Sequence, residues 1–187
     1  LLDLIRNCII FDAGTKKVPR VHQYLGLKES QKRIEKEEGG VIWHTQGSGK
    51  TALTYYNVKH LSHYFQQKKV IAKFYFIVDR IDLLIQAGKE FKARGLVVHN
   101  IDSREAFARD IKLSAAIHNS SGKAEIAVVN IQKFKDDPDV LNNKDYSLNI
   151  QRVFFLDEVH RSYNPRGSFL ANLEQTDQNA IKIGLTG

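Results

Sequence analysis

Gly39-Gly40-Val41-Ile42-Trp43-His44-Thr45-Gln46-Gly47-Ser48-Gly49-Lys50-Thr51 is the stretch from which the rest of the chain is read. The apolar run Val41 to Trp43 predicts a short buried strand, and Ala52 to Phe65 predicts a helix. A loop with glycines at 47 and 49 joins them and closes on Lys50-Thr51. Strand, glycine loop, Lys-Thr and helix together make a cradle for phosphate. Gly47 and Gly49 permit backbone angles closed to other residues, so successive N–H groups can point inward at an anion. The helix start adds roughly half a positive charge at the same place. Lys50 is placed to reach outer phosphates and the Thr51 hydroxyl to hold Mg²⁺. Residues Thr45, Gln46, Gly47, Ser48, Gly49, Lys50 and Thr51 form the predicted nucleotide-binding loop. His44 stands in the first position of the pattern, where glycine is usual. A Gly/Ser-rich loop ending in a surface lysine is the plain alternative, and the flanking strand and helix speak against it.

A phosphate loop needs an acidic partner, and Arg152-Val153-Phe154-Phe155-Leu156-Asp157-Glu158 supplies one. Asp157, at the end of a buried strand, can hold Mg²⁺ through water, and Glu158 can orient or deprotonate an attacking water. On its own the pair is equally a strand end capped by solvated carboxylates. Beside a phosphate loop the coincidence becomes hard to dismiss. His160 and Arg161 are then surface residues or sensors of nucleotide state. Gln23 lies upstream of the loop. Its amide donates and accepts at once, which matches the adenine edge, although a solvated helix position is the ordinary fate of such a residue.

Outward from these two segments, strands and helices alternate. Leu1 to Phe11 reads as a helix, and Arg20 to Glu38 as a second one weakened by Gly26. Val70 to Val78 is almost wholly apolar and predicts a central strand covered on both faces. Leu83 to Ala93 predicts a helix stopped at Gly95, and Leu96 to His99 a third strand. Asp102-x-x-Glu105 resembles a capping box opening a helix that carries Phe107, Ile111 and Ala115. Glu125 to Asn130, Arg152 to Leu156 and Ala180 to Leu185 predict further strands, and Phe169 to Leu173 a helix. Residues 119–122 read as a loop, and turn chemistry falls at 136–139 and 142–143. The fold class is therefore α/β, a mostly parallel sheet with helices on both faces. Ligands of such sheets gather outside the carboxyl ends of the strands, where each polar cluster above is found. Residues 1–38 read as a helical lead-in and residues 39–187 as one nucleotide-binding lobe.

The 187 residues suffice for one sizeable core. No apolar run approaches membrane-spanning length, so no membrane partner is expected. The start lacks the layout of a signal peptide and the chain contains no Met, which reads as a piece of a longer protein. One cysteine, Cys8, permits no internal disulfide and suits a reducing cytoplasm; its apolar neighbours predict a core thiol. Net charge is +7, and residues 51–100 hold eight Lys or Arg against three acids. A polyanion such as nucleic acid is one partner that fits, and an ordinary solvated basic face is the other reading. Cys/His spacing of the metal-binding kind and internal repeats are both absent from the sequence.

Taken together, Lys50-Thr51 and Asp157-Glu158-Val159-His160 resemble motifs I and II of superfamily 2 helicases and translocases in their Asp-Glu-x-His branch. Val78-Asp79-Arg80-Ile81-Asp82-Leu83 resembles motif Ia. Asn130-Ile131-Gln132-Lys133-Phe134 resembles a later DNA-contact motif, and Gly184-Leu185-Thr186-Gly187 the opening of motif III. Gln23, within Arg20-Val21-His22-Gln23-Tyr24, is similar to the adenine-reading Q motif. The wording of Trp43 to Thr51, Val78 to Leu83 and Asp157 to Ser162 is most similar to the motor (R) subunit of type I restriction endonucleases, where His44 is a normal residue. Val159 replaces the commoner Ala.

The resemblance implies a RecA-like P-loop NTPase lobe using ATP and Mg²⁺ and translocating double-stranded DNA. It implies methyltransferase and specificity subunits as partners, and a nuclease domain and second motor lobe outside residues 1–187. Under it, Gln23 reads adenine, and Lys50, Thr51, Asp157 and Glu158 carry phosphate, metal and water. His160 and Thr186 couple hydrolysis to movement. Arg80 and Lys133 are candidate DNA-backbone contacts or solvated surface residues. Two other functions stay open: a superfamily 2 helicase acting on RNA or repair intermediates, and a nucleotide-gated binding module, against which Glu158 argues.

Overall fold

The computed structural model describes residues 2–112, 123–130, 150–159, 177 and 179–187. Its element order is α1(Leu2–Asn7), β1(Ile10–Asp12), β2(Thr15–Lys17), α2(Val21–Ile34), β3(Gly40–Trp43), α3(Lys50–Gln67), β4(Ile71–Val78), α4(Ile81–Ala93), β5(Val97–Ile101), α5(Arg104–Lys112), β6(Glu125–Asn130), β7(Ile150–Asp157) and β8(Ile181–Thr186). Lys133, His160, the expected helix over 169–173, the expected loop at 119–122 and the expected turns at 136–139 and 142–143 lie outside the described residues.

Six strands form one sheet in the order β3-β8-β7-β4-β6-β5. Every pairing in it is parallel, so all carboxyl ends share one side. β4 sits between β6 and β7, as its continuous apolar run requires, and its side chains alternate between two cores. Phe74, Phe76 and Val78 join the core beneath α2, α3 and α4. Tyr75 and Ile77 face the core that α5 closes with Phe107 and Ile111. Tyr75 stacks on Phe154 from β7 at 4.8 Å and meets Phe107 edge-on. Helices thus cover both faces, as the alternation of elements predicts.

Three local expectations are corrected. The first helix stops at Asn7 rather than Phe11, because Ile10–Asp12 pairs antiparallel with Thr15–Lys17. The two residues between the strands, Ala13 and Gly14, both take positive φ (47° and 82°), as a tight hairpin demands. Asp12 fastens this hairpin by accepting from Lys17 at 2.7 Å and pairing with Arg94 at 3.5 Å. β3 is not buried throughout. It lies at the sheet edge, and Val41 and Trp43 are 65% and 80% exposed while Ile42 packs inward. A strand with one neighbour cannot be covered as β4 is. The cap of α5 is Ser103, one residue past the expected Asp102; its Oγ accepts from the Ala106 N–H at 3.2 Å.

At the amino side of the sheet, buried cations take up carbonyls of the last turn of α5. Lys73 Nζ donates to the Asp110 carbonyl at 2.5 Å and the Arg152 guanidinium to the Ile111 carbonyl at 2.6 Å. Cations there also complement the negative end of the helix. Burial pushes the Lys73 pKa down. Cys8 is buried in the core, as expected, and burial pushes its thiol pKa up. Among the described residues no helix is long and apolar enough to cross a membrane.

Candidate functional site

β3, β8 and β7 are neighbours, so the segments that follow or end them meet at one edge of the carboxyl side. The β3 end leads into the glycine loop, β7 ends in Asp157 and Glu158, and β8 ends in Thr186. The His44 N–H donates to the Thr186 carbonyl at 2.8 Å, which ties the start of the loop to the end of β8.

The loop has the backbone that its glycines predict. Gly47 has φ 76° and Gly49 φ 83°. Gly49 is the left-handed N-cap of α3, and among the described residues no side chain caps that helix end. The first N–H groups of α3 are therefore open to an anion. A Cβ on Gly47 would meet no atom, so its glycine is needed for the angle alone. At Gly49 a Cβ would also collide with the Gln23 side-chain nitrogen.

Lys50 and Glu158, 108 positions apart, are in contact: Lys50 Nζ donates to Glu158 Oε1 at 2.5 Å. Both side chains are mostly buried there. Glu158 takes a left-handed backbone, φ 50°, a position that a non-glycine residue occupies at a cost. Burial raises the Asp157 carboxyl above its ordinary pKa, Lys50 opposes that rise, and Glu158 adds to it. Asp157 Oδ1 is buried with no hydrogen-bond partner among the described residues. Thr51 is half-buried in the first turn of α3.

A buried carboxylate oxygen with no hydrogen-bond partner among the described residues, next to a lysine and the start of α3, suits a cation and an anion together. The donor set fits a triphosphate with Mg²⁺. Among the described residues no trio of His, Cys, Asp or Glu is arranged to hold a metal. Thr51 and Asp157 are hard oxygen donors of the kind that hold Mg²⁺ alongside substrate phosphates.

The structure places Gln23 against the loop rather than free on a helix face. Its Nε2 donates to the Ser48 carbonyl at 2.8 Å and the Gly49 carbonyl at 3.4 Å, and its Oε1 accepts from the Arg20 N–H at 2.9 Å. His22 Nε2 lies 3.2 Å from the same Ser48 carbonyl. His22 and His44 meet edge to face with ring centroids 5.1 Å apart. Burial, then His22 and Lys50, push the His44 pKa down, so its ring stays neutral at pH 7. The glycine that weakens α2 has its use here. A Cβ on Gly26 would press on the His44 ring at 3.1 Å, so a small residue in the helix makes room for a large one in the loop. Thr186 is buried beside the loop start. Arg80 is exposed at the carboxyl end of β4, on the same side of the sheet, paired with Asp82 at 2.6 Å. The roles of His22 and Gly26 had no signal in the sequence, because neither sits at a telling spacing from the loop.

Residues 22–187 match the family model described as SWI2/SNF2 ATPase. The chain belongs to the SWI2/SNF2 ATPase family. It is 30% identical to a putative type I restriction enzyme endonuclease subunit of Methanocaldococcus jannaschii, over all of this chain and 20% of that protein. It is 32% identical to a type I restriction enzyme endonuclease subunit of Staphylococcus aureus strain COL, over 84% of this chain and 16% of that protein. The chain thus spans a fifth or less of these relatives. Its fold is that of the SWI2/SNF2 ATPase core of Sulfolobus solfataricus, solved in complex with double-stranded DNA. The TM-score is 0.62 at 14% identity, covering 98% of this chain and 34% of that one. A SWI2/SNF2 ATPase lobe is a nucleotide-using, RecA-like unit, as the α/β architecture and phosphate loop predict.

Proposed function

We propose that this SWI2/SNF2 lobe drives ATP-dependent translocation of double-stranded DNA within the motor subunit of a type I restriction endonuclease. Residues 39–187 are the first motor lobe and residues 1–38 a lead-in that braces it. Cleavage belongs to a nuclease domain outside residues 1–187, and the partners are DNA with the methyltransferase and specificity subunits. The observation that carries the reading is the meeting of Lys50 with Glu158, next to Asp157, at the open start of α3.

Within that reading, Thr45 to Thr51 cradle the phosphates, Lys50 neutralises their outer oxygens, and Thr51 with Asp157 holds the metal. Mg²⁺, when bound, offsets charge on the phosphate oxygens. Glu158, released from Lys50 by the incoming phosphate, positions a water and takes its proton. Thr186 and His160 transmit the nucleotide state, the former through the backbone bond between β8 and the loop. Arg80 lies on the same side of the sheet as the site and, with Lys133, contacts the DNA backbone. The exposed Arg80–Asp82 pair is weak enough to exchange for phosphate.

In the intact subunit, Lys50→Ala abolishes hydrolysis of ATP stimulated by duplex DNA. Turnover equal to wild type would overturn the assignment. Stimulation by RNA in preference to duplex DNA would move the lobe to the other branch of superfamily 2.

A further inference from the structure

We propose that His22 is a positioning residue for the phosphate loop. With Gln23 it forms a two-toothed brace that aims the loop by gripping its carbonyls. The inference rests on the nucleotide-binding reading of this loop. The Ser48 carbonyl receives two donors from the first turn of α2, the Gln23 amide at 2.8 Å and His22 Nε2 at 3.2 Å. A carbonyl only accepts, so the His22 ring carries its proton on Nε2.

The peptide plane explains why gripping a carbonyl matters. In a trans peptide the C=O of one residue and the N–H of the next point in opposite directions. Holding the Ser48 oxygen toward α2 turns the Gly49 N–H away from α2. The next carbonyl, of Gly49, is held chiefly by the Leu53 N–H of α3 at 3.0 Å, with a weaker contact from Gln23 at 3.4 Å. A free Ser48 carbonyl would be able to rotate its negative end toward a bound anion. Glycines on either side, both at positive φ, leave that rotation easy unless something blocks it.

Two further contacts hold the brace in place. The Gln23 oxygen is anchored by the Arg20 N–H at the start of α2. His22 rests edge-on against His44, whose ring is held over Gly26. Both ends of the Gln23 amide are therefore engaged with backbone, and the pair acts on the loop that cradles the phosphates. The grip weakens or strengthens for every phosphate chain alike, whatever base it carries.

The experiment compares wild type, His22→Ala, His22→Gln and Lys50→Ala in the intact subunit with duplex DNA present. Hydrolysis of ATP and GTP is measured, along with binding of inorganic triphosphate. For His22→Ala, KM for ATP rises about 5- to 10-fold, as losing one part-buried hydrogen bond implies, with kcat held within about twofold. Triphosphate binding weakens by the same factor, and the ratio of ATP to GTP use is unchanged. His22→Gln, which restores an N–H donor, recovers at least part of the loss. An unchanged KM, an equal defect in His22→Gln, or a shift in ATP-to-GTP preference with triphosphate binding intact overturns the brace. The Lys50→Ala arm reports separately on the function of the loop, since its hydrolysis is lost whether or not His22 braces anything.

Discussion

Lys50 and Glu158 neutralise one another across a contact of 2.5 Å in a mostly buried setting. Charges held that closely are stabilised by each other, so phosphate has to compete with a carboxylate for the lysine. Glu158→Gln removes that competitor and the base together. Hydrolysis falls at least about 100-fold, while nucleotide binds no more weakly than in wild type. Steady-state turnover and equilibrium titration with ATP check the two halves of this expectation. A variant that turned over normally would place the water-activating group elsewhere. Neighbouring Asp157 differs in kind. Its Oδ1 is buried with no hydrogen-bond partner among the described residues, and burial raises its pKa, so a cation bound there would be favoured.

Two helix ends carry expectations of their own. Ser103 caps α5, and Ser103→Ala costs about 1 kcal/mol of local stability. Faster amide exchange over the first turn of α5 would show it. α1 is held on α2 by Asp3, which accepts from Asn7 at 2.8 Å, from Tyr24 at 2.9 Å and from Lys28 at 2.7 Å. Those bonds, Lys28 foremost, lower the Asp3 pKa from its ordinary 3.8 to about 2. A depressed carboxyl stabilises the fold above its unfolded value and loses that contribution as pH falls toward the folded one. Protection of α1 from exchange is therefore full above about pH 4 and declines toward pH 2, and Asp3→Asn abolishes this dependence. A protection profile identical in the variant would show that α1 is held by packing alone.

Across the whole lobe, the sheet is locked at one side by buried cations and left open for chemistry at the other. Arg152 is 2% exposed, bonded to Asp177 at 3.1 Å and to the Ile111 carbonyl. Arg152→Ala strands Asp177 in the interior and destabilises the lobe by about 3–5 kcal/mol. The urea midpoint of the transition that exchange assigns to β4 and β7 reads this directly, and a shift under about 1 kcal/mol would refute it.

Much of this organisation is written into local patterns of residues. Val70 to Val78 is apolar on both strand faces, and only a central strand buries both, so its place in the sheet follows from composition. Gly47, Gly49, Lys50 and Thr51 prescribe a phosphate loop because positive φ and an open helix start are properties of short segments. Asp157-Glu158 after an apolar run supplies the acidic partner on the same terms. Elsewhere local pattern is silent. Val41 and Trp43 are as apolar as any core strand, yet their burial depends on how many neighbours β3 has, a matter of sheet order. The run at Leu1 to Phe11 has helical spacing, but strand pairing with Thr15–Lys17 overrides it. His22 on the phosphate loop, His44 over Gly26, and Arg152 beneath α5 join segments far apart along the chain. Contacts of that kind arise when elements dock, and no periodicity along the sequence encodes which faces meet.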